Sequence, residues 1–223
     1  MAVSLVGSVG RPGTGHPRFV VDASTSLADQ SVRVRVTGLL SGQQITIVSR
    51  ARDHAGRAWQ GHATFHADTA GIVDLGVAAP TDGTYRGVDP MGLLWSMNPV
   101  AGPANTVAFD PRSVRLAPDY QVTLTVDVDG QARASTVLTR RWLAPGVGHR
   151  TLTLARDGVI GDLFLPAAGT RPRPAVLAFG GSEGGQSQNF TAALLAGHGY
   201  PALSLGYFHL PGLPTDLADI PLE

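Results

Sequence analysis

The 223-residue sequence predicts an antiparallel β-sandwich followed by the opening strands of a second sheet with parallel pairing. Three observations carry this. Between residues 18 and 143 apolar side chains recur at period two, the spacing of half-buried strands, with turn residues about every ten positions. Ala144-Pro145-Gly146-Val147-Gly148 then reads as a linker. After it, Ala175-Val176-Leu177-Ala178-Phe179 is an unbroken apolar run, as expected for a strand buried on both faces.

In order, Phe19-Val20-Val21 is a short strand, and residues 31–36 (Ser-Val-Arg-Val-Arg-Val) alternate polar and apolar. Residues 44–51 repeat that alternation, and residues 58–67 carry Trp59 and Phe65 before the turn Asp68-Thr69-Ala70-Gly71. Residues 120–128 alternate again, and Asp129-Gly130 turns the chain into residues 132–142, the signature of a β-hairpin. Strands at this spacing predict an immunoglobulin-like antiparallel sandwich over residues 17–143. The long Gly- and Pro-rich stretch 83–117 breaks the rhythm. Within it, Met91, Leu93, Leu94, Trp95 and Met97 are expected to plug one end of the sandwich or to pack on a neighbouring domain.

Beyond the linker, residues 150–155 and 159–165 flank Arg156-Asp157-Gly158, which predicts an Asp-Gly hairpin. Residues 166–174 read as a loop, 175–179 as a strand, 180–185 as a glycine turn and 190–198 as a helix capped by Gly199. Residues 200–205 form the next strand. Hairpin, then strand–glycine turn–helix–strand, is how a sheet of the α/β-hydrolase type opens, so residues 150–223 are expected to be the first part of such a domain.

Composition excludes several classes. Net charge is zero, so a nucleic-acid partner has no electrostatic footprint. There is no cysteine, hence no disulfide framework and no thiolate metal site. No apolar run reaches the roughly 18 residues of a membrane span, and the first residues lack a signal-peptide pattern. A cytoplasmic protein without cofactor or metal is expected. His62 and His66 share one face of a strand, but without a third ligand they read as surface residues.

Gly180-Gly181-Ser182-Glu183-Gly184 fits the Gly-x-Ser-x-Gly pattern of a hydrolase nucleophile, yet its setting argues against that role. In a nucleophile elbow the helix starts directly after the serine, whereas residues 183–187 intervene here. A serine also needs an oriented base, and the histidines downstream are His198, at a helix end, and His209, in a loop. The turn reads instead as an oxyanion loop that donates backbone N–H groups, with Gly181 and Ser182 as candidate donors, or as a tight turn without a catalytic part. Tyr207-Phe208-His209 ends a parallel strand at its carboxyl edge, where open α/β sheets bind ligands, and is the candidate substrate-pocket segment. A solvated loop position is the alternative for His209.

Three stretches resemble one family, the acyl-CoA thioester hydrolases related to bile acid-CoA:amino acid N-acyltransferase. Residues 88–97 (Val-Asp-Pro-Met-Gly-Leu-Leu-Trp-Ser-Met) resemble the signature of its N-terminal sandwich. Residues 175–185 with 194–200 resemble its first hydrolase strand, glycine turn and helix. Residues 203–208, 212–214 and 220–223 resemble the following strand and the approach to the next helix. The resemblance implies hydrolysis of an acyl-CoA thioester through an acyl-enzyme, or acyl transfer to an amino acid. It also implies a Ser or Cys nucleophile, an Asp and a His on later elements, all beyond Glu223. No catalytic residue is therefore expected in the chain, which would be truncated before the nucleophile elbow and inactive alone. Its loss of neighbours predicts self-association through an exposed sheet edge. A non-catalytic binding module and a dienelactone-type esterase are the rival readings.

Overall fold

The computed structural model describes residues 15–102, 107–110, 119–217 and 220. They fall into two compact units. One holds most of the described residues before Arg140, and the other holds Leu27–Asp29, Asp119 and the described residues from Arg140 onward.

The first unit contains β1 (Arg18–Val21), β2 (Thr25–Leu27), β3 (Val34–Thr37), β4 (Gln44–Arg52), β5 (Ala58–His66), β6 (Val73–Asp74), β7 (Asp82–Gly83), the helical turn α1 (Gly92–Trp95), β8 (Asn98–Pro99), β9 (Asp119–Val128) and β10 (Gln131–Arg141). Strands β1, β3 and β6 form one antiparallel sheet, and the second runs β2-β10-β9-β4-β5-β7 with β8 beside β5. Val34, Val36 and Val73 of the small sheet share one core with Ile45, Ile47, Phe65, Val122, Leu124 and Val126 of the large one. Two antiparallel sheets facing across one apolar layer make a β-sandwich. The β9–β10 turn has positive φ at both Asp129 (53°) and Gly130 (76°), the twist a two-residue hairpin requires. Only residues from Val34 of the stretch 31–36 join the ladder, yet Val32, Val34 and Val36 are all buried, so the alternation of faces holds through the whole segment.

The apolar stretch 91–97 packs on the sandwich core. Leu93 is fully buried, with Met91, Leu94 and Met97 half-buried around it. Asp89 locks this turn: its carboxylate accepts the Met91 N–H (2.8 Å) and the Trp95 indole N–H (2.8 Å), and its carbonyl accepts the Gly92 N–H (3.1 Å). Trp95 itself stays 63% exposed. Gly92 lies flush on the Tyr85 ring, where a side chain would sit 2.6 Å from Cζ. Burial first, and the Asp89 charge second, push the Tyr85 hydroxyl up to about 12.

The second unit holds β11 (Gly148–Leu152), α2 (Leu154–Asp157), β12 (Ile160–Leu165), β13 (Val176–Phe179), α3 (Asn189–Gly197) and β14 (Ala202–Gly206). The strands order β11-β12-β14-β13, antiparallel except for the parallel β13–β14 pair. The expected hairpin forms between β11 and β12, but its link is one helical turn rather than a two-residue Asp-Gly turn. Asp157 accepts the Thr153 N–H (2.9 Å), the Gly158 N–H closes on the Leu154 carbonyl, and Gly158 takes a left-handed φ of 72°. A side chain that satisfies the first free N–H of a turn favours helix over a two-residue link. α3 covers one face of this sheet through Ala192, Ala193 and Ala196, which pack with Phe164 and Ala202. The expectation that β13 is buried on both faces is corrected here. Its other face leaves Leu177 55% and Phe179 56% exposed, because α3 covers only the Val176/Ala178 side among the described residues. β13 pairs with β14 alone and is the edge of the described sheet.

Candidate functional site

The glycine turn leaves the carboxyl end of β13 and is shaped by the segment that leaves β14. The Tyr207 hydroxyl donates to the Gly180 carbonyl (3.1 Å), and the Gly185 N–H donates to the Phe208 carbonyl (3.1 Å). Gly184 and Gly185 both have positive φ, 66° and 68°. Gly184 is buried so closely that a side chain there would lie 2.6 Å from His209 Cβ. Glycine is the residue type that meets both demands.

Glu183 folds back into the turn it belongs to. Its Oε2 accepts the Gly181 N–H (3.0 Å) and its Oε1 accepts the Ser187 hydroxyl (2.7 Å). The Ser187 hydrogen bond above all, then its own N–H and that of Gly181, hold this exposed carboxyl below its ordinary value. Sequence reasoning named Gly181 and passed over Glu183 and Ser187. The one signal was a carboxylate between glycine pairs with a hydroxyl four residues on.

Ser182 is exposed, and its hydroxyl makes no hydrogen bond among the described residues. His198 pairs with Asp29 (2.7 Å), and His149 with the buried Asp162 (2.8 Å), which also accepts the Thr151 hydroxyl. His209 has φ 56°, an exposed ring and a backbone N–H donated to the Pro214 carbonyl. Of the three pocket candidates, Tyr207 faces the turn and meets Phe179 edge-on at 5.8 Å, while Phe208 is buried against Gly184. Two more polar atoms of the segment after the turn, Gln186 Nε2 and Asn189 Oδ1, are buried without a hydrogen bond among the described residues.

His62 and His66 both lie exposed on β5. No group of three His, Cys, Asp or Glu among the described residues is arranged to hold a metal ion. No described helix is long and apolar enough to cross a membrane.

Chemically, the turn offers backbone donors on a glycine frame at a sheet's carboxyl edge, and the described part of it offers no paired nucleophile and base.

Comparison with known proteins identifies the setting. Residues 29–153 match the family model described as the acyl-CoA thioester hydrolase/BAAT N-terminal region. Acyl-coenzyme A thioesterase 6 of Mus musculus is 35% identical over 92% of this chain and 48% of its own length. The mitochondrial acyl-coenzyme A thioesterase 2 of Homo sapiens is 35% identical over 87% of this chain and 40% of its own length. Acyl-coenzyme A amino acid N-acyltransferase 1 of Mus musculus is 33% identical over 92% of this chain and 50% of its own length. The chain thus spans about half the length of the curated relatives it matches. With a family model over more than half of its residues and thioesterase relatives along nearly all of them, the chain belongs to the acyl-CoA thioester hydrolase/bile acid-CoA:amino acid N-acyltransferase family.

Proposed function

We propose that this protein hydrolyses acyl-CoA thioesters, with an immunoglobulin-like sandwich at residues 17–143 and the first part of an α/β-hydrolase domain at residues 150–223. The observation that carries this reading is the similarity to acyl-CoA thioesterases through the whole β13–turn–α3–β14 region. The placement of a glycine turn at the carboxyl end of a parallel strand supports it.

In this reading a Ser or Cys attacks the thioester carbonyl, the tetrahedral oxyanion rests on backbone N–H groups of the glycine turn, and the CoA thiolate leaves. Water then resolves the acyl-enzyme. Each well-placed oxyanion donor contributes about 2.7–4 kcal/mol to such a step in better-studied hydrolases. Gly181 and Ser182 supply the donors, and Tyr207 and His209 border the acyl site with Phe208 as its packed floor. The nucleophile, its base and the base's carboxylate lie outside these 223 residues. We keep the cytoplasm as the expected compartment.

The N-acyltransferase relative favours one alternative, the same acyl-enzyme resolved by an amine. Protein purified from its native source, given fatty acyl-CoA with and without glycine, separates the two. Free thiol without amine is expected, and acyl-glycine as the sole product would replace hydrolysis by transfer. The 223-residue chain alone is expected to release no CoA. Release that vanishes in Ser182→Ala would make Ser182 the nucleophile after all, and release that survives it would refute the chain's inactivity.

A further inference from the structure

We propose that the glycine turn is an oxyanion nest that the chain fills with its own Glu183 carboxylate, and that an external oxyanion enters only as Glu183 leaves. The proposal rests on the reading of this turn as an oxyanion-holding loop. It goes further in naming what occupies the donors at rest and what class of ligand competes for them, a carboxylate-sized anion.

The geometry is that of a bound anion. A carboxylate oxygen stands 3.0 Å from the Gly181 N–H, and the second oxygen takes the Ser187 hydroxyl at 2.7 Å. Backbone N–H groups that converge on one point form concavities that hold anions, and here the N–H groups of Gly181 and of Glu183 itself converge on the carboxylate together with the Ser187 hydroxyl. The anion is a side chain of the same turn, two residues from its donor.

Two features make this occupant exchangeable. Glu183 is exposed, and its hydrogen-bond partners are uncharged donors, with no arginine paired to it among the described residues. The frame of the turn does not depend on it either. The Tyr207–Gly180, Phe208–Gly185 and Gly181–Gly184 hydrogen bonds shape the loop without the carboxylate. The titratable groups packed on the turn are Tyr207, engaged at Gly180, and His209, beside Gly184. Removing Glu183 therefore empties the nest and leaves it standing.

The consequence is a competition. A ligand oxyanion binds the fraction of molecules whose nest is open, so its apparent affinity falls by that fraction. Glu183 also keeps the donors from catching solvent anions between turnovers. When a thioester is bound, the developing oxyanion displaces a like charge that moves outward to water.

The test reads the Gly181 amide by two-dimensional NMR of the 223-residue chain during titration with sodium acetate at constant ionic strength. Glu183→Ala is expected to give a saturable shift at Gly181 with an apparent Kd about tenfold below that of the wild-type chain, the ratio set by the closed fraction. Equal titration of both proteins would overturn the proposal, since the carboxylate would then not be guarding the donor. So would a Gly181 amide that responds in neither. If the Glu183→Ala turn loses its dispersed Gly184 and Gly185 resonances, Glu183→Gln decides, because it keeps a neutral acceptor. A saturable acetate shift below the wild-type Kd supports the self-filled nest, and none overturns it. Absence of thioester hydrolysis by the native protein would remove the functional reading while leaving this titration unaffected, so the two fail separately.

Discussion

Replacing Gly92 by alanine reverses the usual effect of that substitution in a helix. Alanine is favoured over glycine by about 1 kcal/mol within helices. At Gly92 the new Cβ would lie 2.6 Å from Tyr85 Cζ and closer still to Cδ2 and Cε2, where ordinary contact begins near 3.4 Å. The ring must retreat by about an ångström or slightly more, but Tyr85 is only 4% exposed and belongs to the sandwich core. Overpacking of that kind costs roughly 1–3 kcal/mol, and the first position of a four-residue turn recovers little of the helix preference. The net expectation is a loss of about 1–2 kcal/mol. In urea this lowers the midpoint by about 0.5–1 M at a slope of about 2 kcal/mol per M. Tryptophan fluorescence is the assay, since Trp95 is hydrogen-bonded to Asp89 in the same turn. The same substitution in a Tyr85→Leu background removes the clash and is expected to cost little, a coupling of about 1 kcal/mol in the double-mutant cycle. A midpoint that rises, or a cost equal in both backgrounds, would refute the packing argument.

Acid is expected to destabilise the chain below the ordinary carboxylate range. At Asp53 and Asp74 burial works to raise the pKa, but the Trp59 indole and Arg57 N–H at Asp53, and the Arg33 guanidinium and Gly76 N–H at Asp74, outweigh it and leave both lowered. The Thr153 N–H, then Arg156, lowers Asp157. Folded values below unfolded ones mean stability that is full above about pH 4 and lost as pH falls through the lowered values. Urea midpoints between pH 7 and pH 2.5 check this, and a flat profile below pH 4 would contradict it. Leu177→Lys, on the uncovered face of β13, is expected to reduce self-association in sedimentation velocity. A wild-type chain that is already a monodisperse monomer would show that this face draws no second copy.

Local chemistry was legible in the sequence where it sufficed to decide the structure. Asp129-Gly130 accepts two positive φ angles without strain, so the β9–β10 hairpin followed from two residues. Gly199, with φ 91°, marked the end of α3 within a residue of its observed bound. Asp157-Gly158 lies in the link of the expected β11–β12 hairpin but misled on the form of that link, because the deciding contact is a carboxylate reaching four residues back to Thr153, which residue types alone do not reveal. The uncovered side of β13 was hidden for a different reason. An apolar run states what a strand would bury, and Leu177 and Phe179 show that it does not state what covers it. At the turn, the glycines announced close backbone approach, while the Glu183 contact depends on one rotamer among several and was invisible.

The central pairing of the sandwich sets an order of events during synthesis. β4 meets β5 across a short turn, but its other neighbour, β9, begins about 70 residues further along the chain. A ribosome adding about 5–20 residues per second leaves the free side of β4 without its neighbour for ~3–14 s. Closing a loop is slower the longer it is, so the β4–β5 hairpin forms early and the β4–β9 ladder late. During that interval Ile45 and Ile47 sit on a nascent hairpin with an unpaired edge, the state in which strands capture foreign partners. The compact Asp89–Trp95 turn, closed by hydrogen bonds within seven residues, is then a piece of local structure that forms against β4 and β5 before β9 arrives.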